Sequence, residues 1–374
     1  MIATLLRSRS PRRVGLLALL FSALFLPAWA ADPVAGDMRG EVKARVDQAL
    51  RFLRDRQKDG RWMHPGVTAL CLQAFLTSQR HYRSEDGPFI RLPLEYLAGL
   101  QQPDGGIYDP ALRSPSQNYC TSLAVMALVT SGEERFKPII AKARDFLVGI
   151  QADEGEGYDA KKDFYYGGIG YGSAQRPDLS NLQFALEAVK AAGLEAQSPT
   201  FKKALVFLQR CQDAEGNDLG WAKGSGGFLY CPDPKNNKSF PKNGDPGGVN
   251  AYGSMTFAGI KSLILCGVPK DDPRVQEALR WVRRNFTLTE HPGMGQMTVY
   301  YYYLTLARTL ALLGLEEVEL EGKGVVPWRK ALAEELLKRQ RADGSWVNDE
   351  KKEMEDVSEL ATAYAVNALN FAYP

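Results

Sequence analysis

The chain has 374 residues, of which 45% are hydrophobic and 24% charged, the profile of one large globular domain or two ordinary ones. Setting aside the four arginines near its start leaves 42 basic against 44 acidic residues, a net charge of −2 that speaks against nucleic acid as a main partner. After residue 30 no apolar run is long enough to span a bilayer, so no transmembrane helix is expected in the mature chain.

The first element in chain order is a targeting segment. Arg7, Arg9, Arg12 and Arg13 precede an apolar run from Val14 to Leu26, and Ala28-Trp29-Ala30 has the small-x-small form of a cleavage site. Residues 1–30 are therefore expected to be a signal peptide, with residues 31–374 forming one domain in the periplasm or outside the cell. Arg12-Arg13 leaves the choice between general and twin-arginine export open.

From there a unit recurs. An amphipathic helix ends in Gln, followed by Asp-Gly and often an aromatic residue. A loop leads to a second helix rich in small residues. The first helices are expected near 41–57, 89–101, 137–151, 199–212, 272–287 and 328–340, and the second near 65–78, 118–131, 178–192, 250–266, 297–313 and 357–371. Gln57, Asp59 and Trp62 mark the first unit, Gln101 and Asp104 the second, and Gln340, Asp343 and Trp346 the last. Gln151-Ala-Asp153 and Gln212-Asp213 are eroded copies. Asp-Gly stops a helix because glycine accepts the left-handed conformation, and the two tryptophans read as structural.

The second helices align on Ala74, Ala127, Ala188, Ser262, Thr309 and Ala368. Three residues earlier stand Cys71, Ala124, Ala185, Gly259, Leu306 and Ala365, and three earlier again Thr68, Thr121, Leu182, Thr256, Tyr303 and Thr362. Steps of three keep these positions near one helix face and allow close packing. The expected fold is all-α, a closed (α/α)6 toroid of six helix-pair repeats, with the second helices as its inner ring and the first helices as its outer ring. The apolar last helix calls for closure, since a solenoid would need a polar cap.

The long loops run from first to second helices and so share one face. The richest are 164–173, with Phe164, Tyr165, Tyr166 and Tyr171, and 216–254, with Trp221, Phe228, Tyr230, Phe240 and Tyr252. Tyr300-Tyr301-Tyr302-Tyr303 opens the fifth inner helix, and four consecutive residues cover most of a turn, so at least one should face the cavity. The inner-helix dipoles would favour an anionic group at this mouth. Cys71, Cys120 and Cys266 read as buried small hydrophobes, and Cys211 and Cys231 are placed so that they could pair.

Gln340-x-x-Asp343-Gly344-Ser-Trp346, with its shorter variant Gln57 to Trp62, resembles the terpene-cyclase and protein-prenyltransferase superfamily, the prenyltransferase and squalene-oxidase repeat. The resemblance covers nearly all of the mature chain and implies a cavity for an apolar, isoprenoid-like ligand, with aromatic faces that stabilise carbocations. It further implies that Pro177 to Leu182 stands where squalene-hopene-type cyclases carry Asp-x-Asp-Asp. Asp178 then falls on the first acid, Ser180 on the proton donor and Asn181 on the last, and a serine cannot protonate an alkene. Squalene cyclisation is thus not expected. The prenyltransferase zinc ligands are missing as well: no Asp-x-Cys occurs, and the histidines are His64, His81 and His291. No metal or cofactor is expected, and whether catalysis remains is left open.

The candidate ligand-binding residues are Tyr171, Asp178, Ser180, Asn181, Tyr252 and Tyr301, with Asp178 also suited to capping its helix. Two other functions stay open: a non-enzymatic exported binding or scaffold protein, and a carbohydrate-active α/α-barrel enzyme using a carboxylate pair such as Asp178 and Asp245. Oligomeric state is not legible.

Overall fold

A computed structural model describes residues 35–114, 116–172, 176–217, 219–233 and 250–374. The expected signal peptide, Ser173, Phe240 and Asp245 lie outside the described residues. Within them are twelve α-helices: α1 (Ala35–Arg56), α2 (Pro65–Leu76), α3 (Pro88–Gly99), α4 (Gln117–Ser131), α5 (Lys137–Gly149), α6 (Leu179–Ala191), α7 (Pro199–Cys211), α8 (Gly253–Leu265), α9 (Pro273–Asn285), α10 (Val299–Leu313), α11 (Trp328–Arg339) and α12 (Ser358–Ala372). A hairpin of β1 (Glu317–Leu320) and β2 (Gly324–Pro327) follows α10, with Glu317 opposite Pro327. None of the described helices is long and apolar enough to cross a membrane.

Proline in the first turn, where no backbone N–H is needed, opens α2, α3, α5, α7 and α9. Left-handed Gly132 and Gly314 stop α4 and α10. The even-numbered helices are apolar nearly all round and are buried; every residue of α2 is. Each packs on the next, α2 on α4 through to α10 on α12, and α12 packs on α2, so their contacts run in a cycle. The odd-numbered helices lie outside them, α3 against α2 and α4, α5 against α4 and α6, α7 against α6 and α8. The aligned small residues Ala74, Ala127, Ala188, Ser262, Thr309 and Ala368 are all fully buried.

The recurring Gln and Asp-Gly join neighbouring units. The amide of Gln57 donates to the Phe89 carbonyl of α3 at 2.9 Å, Gln101 to Ile139 of α5 at 2.9 Å, Gln151 to Thr200 of α7 at 3.0 Å and Gln212 to Arg274 of α9 at 2.8 Å. Gln340 donates at 3.0 Å to Arg45 of α1, joining the last outer helix to the first. The left-handed glycine beside each glutamine lies against the same neighbouring helix: a Cβ on Gly105 would meet Lys142 O of α5 at 2.6 Å, and one on Gly344 would meet Gln48 O of α1 at 2.8 Å. Among the described residues no such clasp joins α9 to α11. There the hairpin intervenes, with β1 packed on both helices and Glu321 N donating to Arg283 O at 3.1 Å.

The aromatic after Asp-Gly ties a first helix to its own second helix. Trp62 and Trp346 are buried, their ring N–H groups donating to Leu53 O and Leu336 O at 3.0 and 2.8 Å. Their backbone N–H groups donate to the hydroxyls of Thr68 and Thr362, as do those of Ile107 to Thr121 and Phe228 to Thr256. The threonine column is therefore a set of anchors for these turns. Asp104 and Asp343 close their turns by accepting from Gly106 N and Ser345 N, while Asp59 itself adopts a left-handed conformation.

Two cysteine expectations change. Cys211 and Cys231 are both buried thiols, with no disulfide joining them, and burial pushes the Cys231 thiol up to about 12. Cys266 is only partly buried, because it lies beyond the last turn of α8.

Candidate functional site

A cavity of about 710 Å³ opens at the N-terminal ends of the even-numbered helices, within the range of small-molecule sites. Every one of them contributes to its wall: Leu70 from α2, Tyr119 and Leu123 from α4, Ser180 from α6, Met255 from α8, Tyr301 from α10, and Leu360 and Tyr364 from α12. Loop residues Tyr171, Tyr230, Tyr252, Met294 and Met297 complete it, with Arg113, Glu353 and Met354 exposed at the rim. Of the candidate ligand-binding residues, Tyr171, Ser180, Tyr252 and Tyr301 thus line one cavity.

Asp178 and Asn181 lie behind the wall, 1% and 0% exposed. Asp178 caps α6, accepting Asn181 N at 2.8 Å, and its other oxygen accepts the Asn181 amide at 2.8 Å. Asn118 of α4 donates to Asn181 Oδ1 at 3.1 Å and accepts from Ser122 at 2.8 Å. This ladder fixes α4 against α6, so both residues hold the wall in place without facing the space.

The tyrosine run divides as helical geometry requires. Tyr301 faces the cavity, while the hydroxyls of Tyr300, Tyr302 and Tyr303 donate to the Val347, Thr287 and Leu288 carbonyls. On the wall, Ser180 Oγ lies 2.5 Å from Tyr119 OH and 2.6 Å from Tyr301 OH, and Gln183 Nε2 donates to the Tyr301 oxygen. Burial pushes the phenols of Tyr119, Tyr252 and Tyr301 well up, so they stay protonated at neutral pH.

Four inner-helix heads are already occupied by protein acceptors. His64 Nδ1 accepts Gly66 N of α2 at 3.1 Å, Asp178 serves α6, and His291 Nε2 accepts Ser254 N of α8 at 2.9 Å. Glu355 accepts Tyr301 N at 2.7 Å and Tyr300 N at 3.3 Å at the head of α10, and the Asn348 amide at 2.8 Å. Glu355 also lines the cavity and is 1% exposed; burial outweighs its donors and pushes its carboxyl up to about 7. Side chains thus take the anion-binding positions at four of the six inner-helix heads, while α4 and α12 carry no side-chain cap.

Sequence reasoning missed Glu355, Tyr364 and the methionines of the mouth. Glu355 belongs to no repeated motif. Tyr119 carried a signal, since it sits near the head of α4 as Ser180 does in α6. One further mark is conformational: Ser116, Thr298, Glu353 and Met354, four of the six non-glycine residues with positive φ among the described residues, all line this cavity. Strain of this kind persists where surrounding contacts over-determine it, often at binding sites.

Farther along the same helices lies a buried ionic layer. Glu187 of α6 meets Lys261 of α8 at 2.7 Å and Arg308 of α10 at 3.0 Å, and Arg308 donates to Gln73 of α2 at 2.9 Å. Burial alone would raise the Glu187 carboxyl, but Arg308 and Lys261 hold it down at about 2.

Residues 63–230 match the family of the squalene-hopene cyclase C-terminal domain. No curated protein sequence matches the chain. Among solved structures, a protein from Actinoplanes superposes with a TM-score of 0.52 at 17% identity, over 88% of this chain and 99% of that one. The type II terpene cyclase MstE from Scytonema, without ligand, gives 0.51 at 14% identity over 88% and 98%. A variant of that enzyme in complex with its substrate, geranylgeranyl dihydroxybenzoate, gives 0.50 at 15% identity over 91% and 99%. At these identities the structural likeness speaks for the fold. The family match covers the loops and inner helices that build much of the cavity, and together with the shared fold it makes the chain similar to the terpene cyclases.

Proposed function

We propose that this protein is an exported, closed (α/α)6 toroid that binds an apolar, isoprenoid-like ligand between its aromatic walls and does not cyclise squalene. The observation that carries the reading is the cavity itself: tyrosines and apolar side chains from five of the six inner helices, with the serine hydroxyl of the sixth clasped by two tyrosines at the position where the resemblance calls for a proton donor. The cycle of helix contacts and the Gln340 clasp to α1 support closure. The basic and apolar leader pattern supports export. The substrate-bound relative supports a prenylated ligand class.

Extraction of the purified protein followed by lipid mass spectrometry should recover a terpenoid or prenyl compound, and folded Tyr171→Ala, Tyr252→Ala and Tyr301→Ala variants should retain less of it. Recovery of only polar compounds, or unchanged retention in all three variants, would move the site elsewhere. Incubation with squalene should yield no cyclic product. The carbohydrate-active alternative is weaker, because Asp178 is used as a helix cap.

A further inference from the structure

The hydroxyl cluster on the wall has a donor to spare. Tyr119, Ser180 and Tyr301 carry three hydroxyl hydrogens, and the two links between them use two. The amide nitrogen of Gln183 can only donate, so it consumes an acceptor position on Tyr301 and no hydrogen. With the Gln183 amide oriented as a donor, one O–H hydrogen remains, and each of the three residues that could carry it lines the cavity. Acceptor capacity remains as well, because each hydroxyl oxygen accepts more than one hydrogen bond. The cluster is a neutral spot that both donates and accepts, set in a mainly apolar and aromatic enclosure whose other polar lining includes His64, Ser116, Ser254, Thr298 and Glu355.

The charges around it disfavour an ionic partner. The heads of α2, α6, α8 and α10 already face His64, Asp178, His291 and Glu355. Glu355 is the buried titratable group of the wall, and its two oxygens together accept from Tyr300 N, Tyr301 N and the Asn348 amide. Arg113 and Glu353, opposite in sign, lie exposed at the rim. Burial disfavours the His64 cation. An anionic head would be desolvated beside Glu355 with four of the six inner-helix ends already taken. A cationic head would find the Glu355 oxygens already engaged.

We infer that the cavity selects an apolar ligand bearing one uncharged oxygen head, an alcohol or a ketone, held by the Tyr119–Ser180–Tyr301 cluster. The inference deepens the reading of the cavity as an isoprenoid site and rests on it for the ligand's body, whereas the head preference follows from the cluster alone.

The test is binding to delipidated protein, followed by quenching of intrinsic fluorescence. One probe series is geranylgeraniol, geranylgeranylamine, geranylgeranyl diphosphate and the parent hydrocarbon; a matched series is octadecanol, octadecylamine, octadecyl phosphate and octadecane. Alcohols should bind at least about tenfold more tightly than the charged members of their series. Ser180→Ala and Tyr301→Phe should each weaken alcohol binding by roughly 3- to 10-fold, the worth of one hydrogen bond, and leave hydrocarbon binding unchanged. Tyr119→Phe substitutes for either variant that fails to fold by circular dichroism. A charged probe that equals or exceeds its alcohol overturns the inference, as does equal loss of alcohol and hydrocarbon in the variants. If octadecanol obeys the head-group order while no prenyl probe binds, the head preference stands and the isoprenoid reading falls. If prenyl probes bind regardless of head, the isoprenoid reading stands and the head preference falls. Binding by neither series overturns both.

Discussion

Glu355 shows how a single side chain can set a pH response. Its folded-state carboxyl lies at about 7, above the ordinary 4.5, because burial outweighs the N–H groups of Tyr300 and Tyr301 that it accepts. A raised carboxyl binds its proton more readily in the folded chain than in the unfolded one. Its contribution is therefore fully present below pH 4.5 and is lost as pH rises through about 7. Melting temperature should fall between about pH 5 and pH 8 by a component absent from Glu355→Gln, worth roughly 3 kcal/mol at most; parallel profiles for the two proteins would contradict this. Part of the cavity lining was legible at this scale. Tyr171, Ser180, Tyr252 and Tyr301 stood out as aromatic-loop or motif positions and do line the cavity. Glu355 and Tyr364 did not stand out, since which face of a turn a residue presents depends on packing that no local pattern encodes.

Between neighbouring helix pairs, the clasp makes its own predictions. Gly105 and Gly314 are both left-handed, but only the first lies against another helix: its Cβ would meet Lys142 O at 2.6 Å, while a Cβ on Gly314 would meet nothing within 4 Å. Gly314→Ala should cost about 1–2 kcal/mol, the left-handed penalty alone. Gly105→Ala should cost distinctly more, because the α5 backbone must retreat, and equal costs in chemical denaturation would refute the close-approach role. Trp346→Ala should lower stability by about 3–5 kcal/mol, since the ring is fully buried and also loses its bond to Leu336 O. The helices themselves were legible from periodicity, with ends such as Ser358 and Gly253 falling within a few residues of expectation. What the motif does was not legible. Gln and Asp-Gly read locally as a helix stop, whereas their partners Phe89, Ile139 and Arg45 belong to other units. The hairpin at 317–327 escaped notice because two four-residue strands are too short to show an alternating pattern clearly.

Across the molecule, Glu187 links α6 to α8 and α10, and Arg308 extends the connection to α2. Glu187→Gln would leave Lys261 and Arg308 buried without their shared anion, and should cost about 3–5 kcal/mol. The Glu187 contribution has the opposite pH sense to that of Glu355: it is present above pH 4.5 and lost as pH falls toward about 2. The uneven distribution of clasps bears on how the molecule comes apart. In a linear array the end units have one neighbour and fray first. Here Gln340 holds α1, and Arg39 donates to the Pro374 carbonyl at 2.6 Å, so neither the first nor the last described helix is an end in that sense. Fraying must begin at an interior joint instead. The joint between α9 and α11 is the one bridged by a small hairpin in place of a glutamine clasp. Backbone amides of 317–327 and the first turn of α11 should consequently exchange with deuterated solvent by a local opening well below the global unfolding free energy, while the amides of α1 exchange only when the whole domain lets go.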